Sequence, residues 1–270
     1  MRRPPFTALA ALWTCLCLLL AAAAAGWPAA AADVHGDDER DVYVGTGGLL
    51  LPGSVDEATR RRVASCPGCQ WRLASVCTDP GLGPGFDGQG ACTSIVRGCP
   101  QGRRILRAWF RPAGEPWRAL DVVCLSRPVT VVEVGLRVAD RVEEAVPAQQ
   151  PSARPAQGVV TQVPVRFAVG QPTGPRRWSM QILGRVVAVT AVPEWSWSFG
   201  DETGDAAWST DAEVEHAYRR AGLRQVEVRT RWTATYVVDG LGPFSVDEQL
   251  LQSATFAVAV GQGRAVLVPG

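Results

Sequence analysis

Between residues 225 and 238, side chains of two kinds alternate without a break. Val226, Val228, Thr230, Trp232, Ala234 and Tyr236 fall on one side; Gln225, Glu227, Arg229, Arg231, Thr233 and Thr235 fall on the other. A period of two sends successive side chains to opposite faces of a strand, and the polar set gives the sheet one wet face. The odd positions Val159, Thr161, Val163, Val165, Phe167 and Val169 predict a second strand of this kind. Trp195, Trp197 and Phe199 alternate with Ser196 and Ser198, and Phe256, Val258 and Val260 close the series. Residues 182–192 are apolar at both parities, as a central strand is. Several short strands separated by turn residues predict a β-sandwich over residues 159–263.

The first half of the chain has a different pattern. Residues 70–76 read as a strand, and residues 104–111 and 117–125 as two strands around a Pro-Ala-Gly-Glu-Pro hairpin loop. Ser54-x-x-Glu57 is a capping box that predicts a short helix to about Ala64, with Arg60, Arg61 and Arg62 toward its C-terminal end. Thr130-x-x-Glu133 is a second capping box. Val131, Val134, Val138, Val142 and Ala145 follow at three- and four-residue spacing, the stripe of an amphipathic helix that Pro147 ends. Residues 33–53 are acidic and then Gly-rich, and read as a loose leader. The expected organisation is a leader at 33–53, a cysteine-rich module at 54–128, a helix at 129–146, a Pro-rich semi-rigid linker at 147–158 and the β domain at 159–263.

Composition sets the compartment. Met1-Arg2-Arg3, an apolar stretch over residues 8–25 and Ala30-Ala31-Ala32 form the pattern of a secretory signal peptide, with cleavage expected after Ala32. The alternative is an uncleaved anchor, which would be the chain's one attachment to a membrane. Of eight cysteines, Cys15 and Cys17 fall in that segment and six remain: Cys66, Cys69, Cys77, Cys92, Cys99 and Cys124. An even number in an exported chain reads as disulfides, with the pairing left open. The alternatives are a zinc knuckle or a redox pair at Cys66-Pro67-Gly68-Cys69; no second C-x-x-C supports a zinc ribbon. Such a small Gly-rich module buries little apolar surface, so the bridges are expected to supply its stability. Net charge is +1, and loss of Arg2 and Arg3 with the signal brings it close to zero, which argues against a nucleic-acid partner. The chain contains no lysine and no asparagine, as in proteins from GC-rich bacterial genomes, and so has no N-glycosylation acceptor.

The stretch Trp195, Trp197, Phe199, Gly200, Asp201, followed by His216-x-Tyr218 and Gly222, resembles the signature of PKD domains. Those are small extracellular β-sandwiches that bind or space other molecules. The order of cysteine-rich module, helix, Pro-rich linker and divergent PKD-like domain resembles a family of exported actinobacterial PKD-domain proteins without an assigned activity. Cys66-Pro67-Gly68-Cys69, Val96-Arg97-Gly98-Cys99-Pro100, the stretch from Trp117 to Cys124, and Arg231-Trp232-Thr233-Ala234-Thr235 carry that likeness. One departure stands out: the PKD turn ends in glycine, and here Glu202 takes that place. Gly204 is the residue expected to supply the missing backbone freedom.

Candidate chemistry is sparse. Asp201, His216 and Tyr218 are expected to hold one corner of the sandwich, with the tyrosine bonded to backbone, ahead of transferring protons. Asp201, Glu202 and Asp205 are weak calcium ligands in an unfamiliar spacing. Trp178, after two arginines, and Trp208, in a polar insert over residues 203–213, are the aromatics expected to be exposed, suited to a protein partner or a sugar. With His35 in the leader and His216 in the corner as the only histidines, no catalytic constellation is recognisable. The expected protein is a non-catalytic binder or scaffold without a cofactor, taking an envelope or extracellular protein as partner. A carbohydrate-binding module is the alternative, and a secreted hydrolase the remote one.

Overall fold

The computed structural model describes residues 33–37, 42–76 and 98–263. The signal segment, Cys77, Cys92 and Val96-Arg97 lie outside the described residues. The fold is mainly β, with two α-helices among the described residues. Strands β1 (Val34–Asp37), β2 (Val42–Thr46), β3 (Gln70–Ser75), β4 (Arg104–Arg111) and β5 (Arg118–Leu125) form an antiparallel meander in that order. Helix α1 (Glu57–Ala64) packs on it.

This first unit departs from expectation in three ways. The described residues of the segment 33–53 do not form a loose leader: they supply β1 and β2, and Leu49, Leu50 and Leu51 are fully buried. Helix α1 is capped by Asp56, not Ser54; the Asp56 carboxylate accepts the backbone N–H of Thr59 at 2.9 Å. A carboxylate one residue before the first helical position reaches that orphan donor, and its negative charge suits the helix N-terminus. Finally, the module has a true core. Trp71, Leu73, Leu106, Phe110 and Val63 are buried together, so the disulfides add to apolar burial and do not replace it.

Two bridges are described, Cys66–Cys69 and Cys99–Cys124, the latter joining the approach to β4 with β5. Disulfides belong to an oxidising compartment. Cys66 follows the C-cap of α1 at Ser65, the negative end of the helix dipole. A redox-active C-x-x-C uses the opposite end, where a thiolate is stabilised. The staple reading therefore fits the local electrostatics. Among the described residues, no helix is long and apolar enough to cross a membrane.

Helix α2 (Val131–Ala145) starts as its sequence dictates: Thr130 Oγ1 accepts the Glu133 N–H at 3.1 Å. The Glu133 carboxylate turns instead to Arg127, accepting two bonds at 2.8 and 3.0 Å. That contact raises the pKa of the Arg127 guanidinium. Beyond α2, the residues expected to be a linker are pinned. Strand β6 (Ser152–Arg154) pairs with β8 (Val165–Ala168), and Gln149 Nε2 donates to Thr230 Oγ1 at 2.6 Å.

The remaining strands are β7 (Val159–Val160), β9 (Arg176–Ile182), β10 (Arg185–Ser198), β11 (Glu213–His216), β12 (Gly222–Val238), β13 (Leu241–Ser245) and β14 (Leu250–Gly261). They build a six-stranded sheet, β7-β14-β12-β10-β9 with β13 on the end of β12, and a three-stranded sheet, β11-β8-β6. The strand expected through residues 159–169 is broken at Gln162, whose φ is +69° and whose N–H reaches Tyr218 O; Val163 is left 50% exposed. The segment 182–192 is interrupted by a turn at Leu183-Gly184 and is wet on one face, with Val186 and Val192 exposed.

The backbone of this part is a ribbon. β10 and β12 pair in unbroken register from Val187–Val238 to Ser198–Glu227. One face of the ribbon serves two cores. Val187, Val189, Ala191, Trp232, Ala234 and Tyr236 pack beneath Val134, Val138 and Val142 of α2. Trp195, Trp197, Val226 and Val228 pack beneath Val165 and Phe167 of the three-stranded sheet. At the seam sits Gln171. Its Nε2 donates to Pro147 O (2.7 Å) and Gln252 Oε1 (2.8 Å), and its Oε1 accepts from Trp195 Nε1 (3.1 Å) and Thr230 Oγ1 (2.8 Å). Arg185 ties the first unit to this one, donating to Leu50 O at 2.8 Å and to Asp239 at 2.8 Å.

Candidate functional site

The signature residues converge on one corner where the two sheets of the second core meet. Phe199, just after β10, lies flat against the His216 ring of β11, with centroids 4.0 Å apart and planes 2° apart. His216 Nε2 bonds Asp201 Oδ2 at 2.7 Å, and the two side chains are only 12% and 14% exposed. Tyr218 meets His216 edge-on at 4.7 Å, and Phe167 packs against Phe199 at 5.2 Å. Trp197 lies parallel to Phe199 with ring centroids 6.3 Å apart, and Trp195 is buried on the same face of the strand. Gly222, with φ at +138°, opens β12 just beyond the corner.

Two details differ from expectation. The Tyr218 hydroxyl is buried and makes no hydrogen bond among the described residues, so packing and not a backbone bond holds it. Burial, with the Asp201 charge nearby, pushes its pKa up to about 12. The turn is held by Gly200, whose φ is +68°, and Gly204 takes a second positive φ of +77°. Glu202 stays out of that region and carries no left-handed strain.

Burial raises the pKa of Asp201, but hydrogen bonds from Thr203 and His216 more than offset it and hold the carboxyl below its ordinary value of 3.8. A depressed folded-state pKa stabilises the protein above the unfolded value, and the gain is lost as pH falls through the folded one. Wild type is therefore expected to lose stability toward acid below about pH 4, and Asp201→Asn to lose this contribution at neutral pH, narrowing its gap to wild type in acid. Urea midpoints for both proteins between neutral and strongly acid pH measure this; a gap independent of pH would refute it.

The three acidic candidates for calcium each have a different partner: Asp201 bonds His216, Glu202 pairs with Arg220 at 2.9 Å, and Asp205 with Arg229 at 3.3 Å. Among the described residues, no three His, Cys, Asp or Glu side chains come together as a metal would require.

The insert over residues 203–213 is not a free loop. Ser209 and Trp195 exchange both backbone hydrogen bonds, and Ala206 N–H reaches Trp197 O at 2.7 Å. The insert thus continues the sheet along the part of β10 that β9 does not cover. It brings Trp208, 37% exposed, over the Arg231 guanidinium at 4.6 Å, and Arg231 in turn pairs with Glu194 at 2.7 Å. Trp178 is not a companion to it. On β9 it lies opposite Val189 and packs, half-buried, against the core under α2.

Sequence reasoning missed Gln171, Arg185 and an apolar groove between α2 and β13. Each depends on partners far apart in the chain, with no local periodicity to mark them. Compared with protein families, with curated proteins and with solved structures, the chain matches none.

Proposed function

We propose that this chain is an exported, non-catalytic binding or scaffolding protein of the cell surface, with an envelope or extracellular protein as its partner. Its second half is read as a divergent PKD-like β-sandwich, with α2 docked on the extended end of the larger sheet. The observation that carries the reading is the use made of the signature. Its histidine and aspartate are spent on each other and its aromatic rings on packing, an arrangement suited to holding loops in place. The described disulfides suit an oxidising environment. Proximity labelling from the full chain at the surface of producing cells tests the proposal. A reproducible small set of envelope proteins is expected; labelling no richer than that of an unrelated exported protein would sink it.

Trp208 favours a second reading, a glycan site, because an exposed indole beside an Arg–Glu pair can stack on a sugar face. If that reading holds, wild type is retained on insoluble cell-wall polysaccharide and Trp208→Ala is released, with its melting temperature within a few degrees of wild type. The protein-binding reading predicts that neither is retained.

A further inference from the structure

An apolar groove of about 580 Å³ runs between α2 and the β12–β13 hairpin, where the first unit meets the second. That volume lies within the roughly 300–1,000 Å³ of ordinary ligand sites, which favour such junctions. Tyr236 lies against α2, donating its hydroxyl to Val131 O at 2.6 Å. Gly135 lets the helix come this close: a Cβ there would stand 3.1 Å from the tyrosine oxygen. Phe244 and Val246 line the hairpin side. Leu136 lines the helix side and is 57% exposed, a large apolar surface left to water.

The charges at the mouth are unbalanced. Arg61, on the α1 side, is already paired with Glu57. Asp247 and Glu248, on the hairpin side, have no ion-pair partner among the described residues. Burial, and then the Asp247 charge, raise the Tyr236 pKa, so that carboxylate acts on the groove and not only on solvent. An apolar trough beside two uncompensated carboxylates complements a ligand with an apolar body and a positive charge.

We infer that this groove takes a linear segment of the partner protein in which apolar side chains stand beside an arginine or lysine. The inference rests on the protein-binding reading above and names the chemistry of that partner. An apolar trough between a helix and a hairpin suits an extended or helical peptide, as in other groove-binding modes.

The test pans a phage-displayed random peptide library on the full exported chain and measures synthetic copies of the enriched peptides by fluorescence anisotropy. Enriched peptides are expected to share apolar residues next to Arg or Lys, and to bind more weakly as salt rises. Leu136→Asp, and separately the pair Asp247→Asn with Glu248→Gln, are each expected to weaken binding about tenfold, the equivalent of about 1.4 kcal/mol. All the substituted residues are exposed, and circular dichroism melts are expected to match wild type. No enrichment, peptides without a basic residue, or equal binding by the variants would overturn the inference. So would displacement of bound peptide by dodecyltrimethylammonium below its micelle concentration while no peptide depends on Leu136, which would assign the groove to an amphiphile. Surface labelling by the Asp247→Asn, Glu248→Gln protein separates the two levels. Partners retained by a variant that loses peptide binding overturn the groove and leave the binding reading intact; partners absent even with wild type overturn that reading itself.

Discussion

Gly200→Ala is expected to cost roughly 2–5 kcal/mol of folding stability, the sum of left-handed backbone strain and a clash in a packed site. The residue holds φ at +68°, and an added Cβ would lie 2.3 Å from Gln225 O and 2.9 Å from Gln225 N. Those are backbone atoms of β12, fixed on the far side by pairing with β14, so they have no room to yield. Relief would require opening the corner and separating Phe199 from His216. Gly204→Ala is the control. Its φ of +77° is also left-handed, but nothing lies within 4 Å of the added Cβ. Strain alone should cost it about 1–2 kcal/mol. Urea denaturation of the two variants separates the contributions; equal losses would show that the close approach to Gln225 does not matter.

Gln171→Ala is expected to be comparably severe, at about 3 kcal/mol. The amide joins four partners at the seam between the two cores, and each buried polar group left without a partner costs about 1–3 kcal/mol. Trp195 Nε1 loses its acceptor, and Pro147 O loses its donor. Thr230 Oγ1 keeps the bond from Gln149, and Gln252 Oε1 keeps that from Trp232 Nε1, so the loss falls short of four full penalties. A cycle with Trp195→Phe tests the assignment. Once the indole N–H is gone, losing Gln171 should hurt less, by about 1 kcal/mol of coupling. Additive losses would remove Trp195 from the account.

The parts of this fold legible in the sequence are those determined locally. The alternation over residues 225–238 falls inside β12, and the Thr130 cap and its apolar stripe fall on α2, because one-sided burial writes its period directly into the chain. The β4–β5 hairpin was equally plain from its Pro and Gly punctuation. The errors have a common origin. Val163 shares the parity of a strand but follows Gln162, whose turn is set by a bond to Tyr218 far along the chain. Residues 33–53 read as loose because they are rich in Gly and Asp, yet β1 is held by pairing with β2 and β2 by pairing with β3, which no local signal reports. Trp178 follows two arginines, but strand parity turns it inward toward α2. Within the corner, the residue types were readable and the stacking of Phe199 on His216 was not, since it requires β10 and β11 to be brought together.

The continuous β10–β12 ribbon bears on how the chain can be divided. Composition changes at the Pro-rich stretch after α2, and a cut there is the natural choice for making two smaller proteins. Such a cut would remove α2 from the sheet face it covers and leave Val187, Val189, Trp232 and Ala234 facing water. The C-terminal fragment would carry a large apolar patch, the kind of surface that drives aggregation. The smallest separable piece containing the corner therefore begins before Thr130, and the bending point suggested by composition is a place where the molecule is fastened.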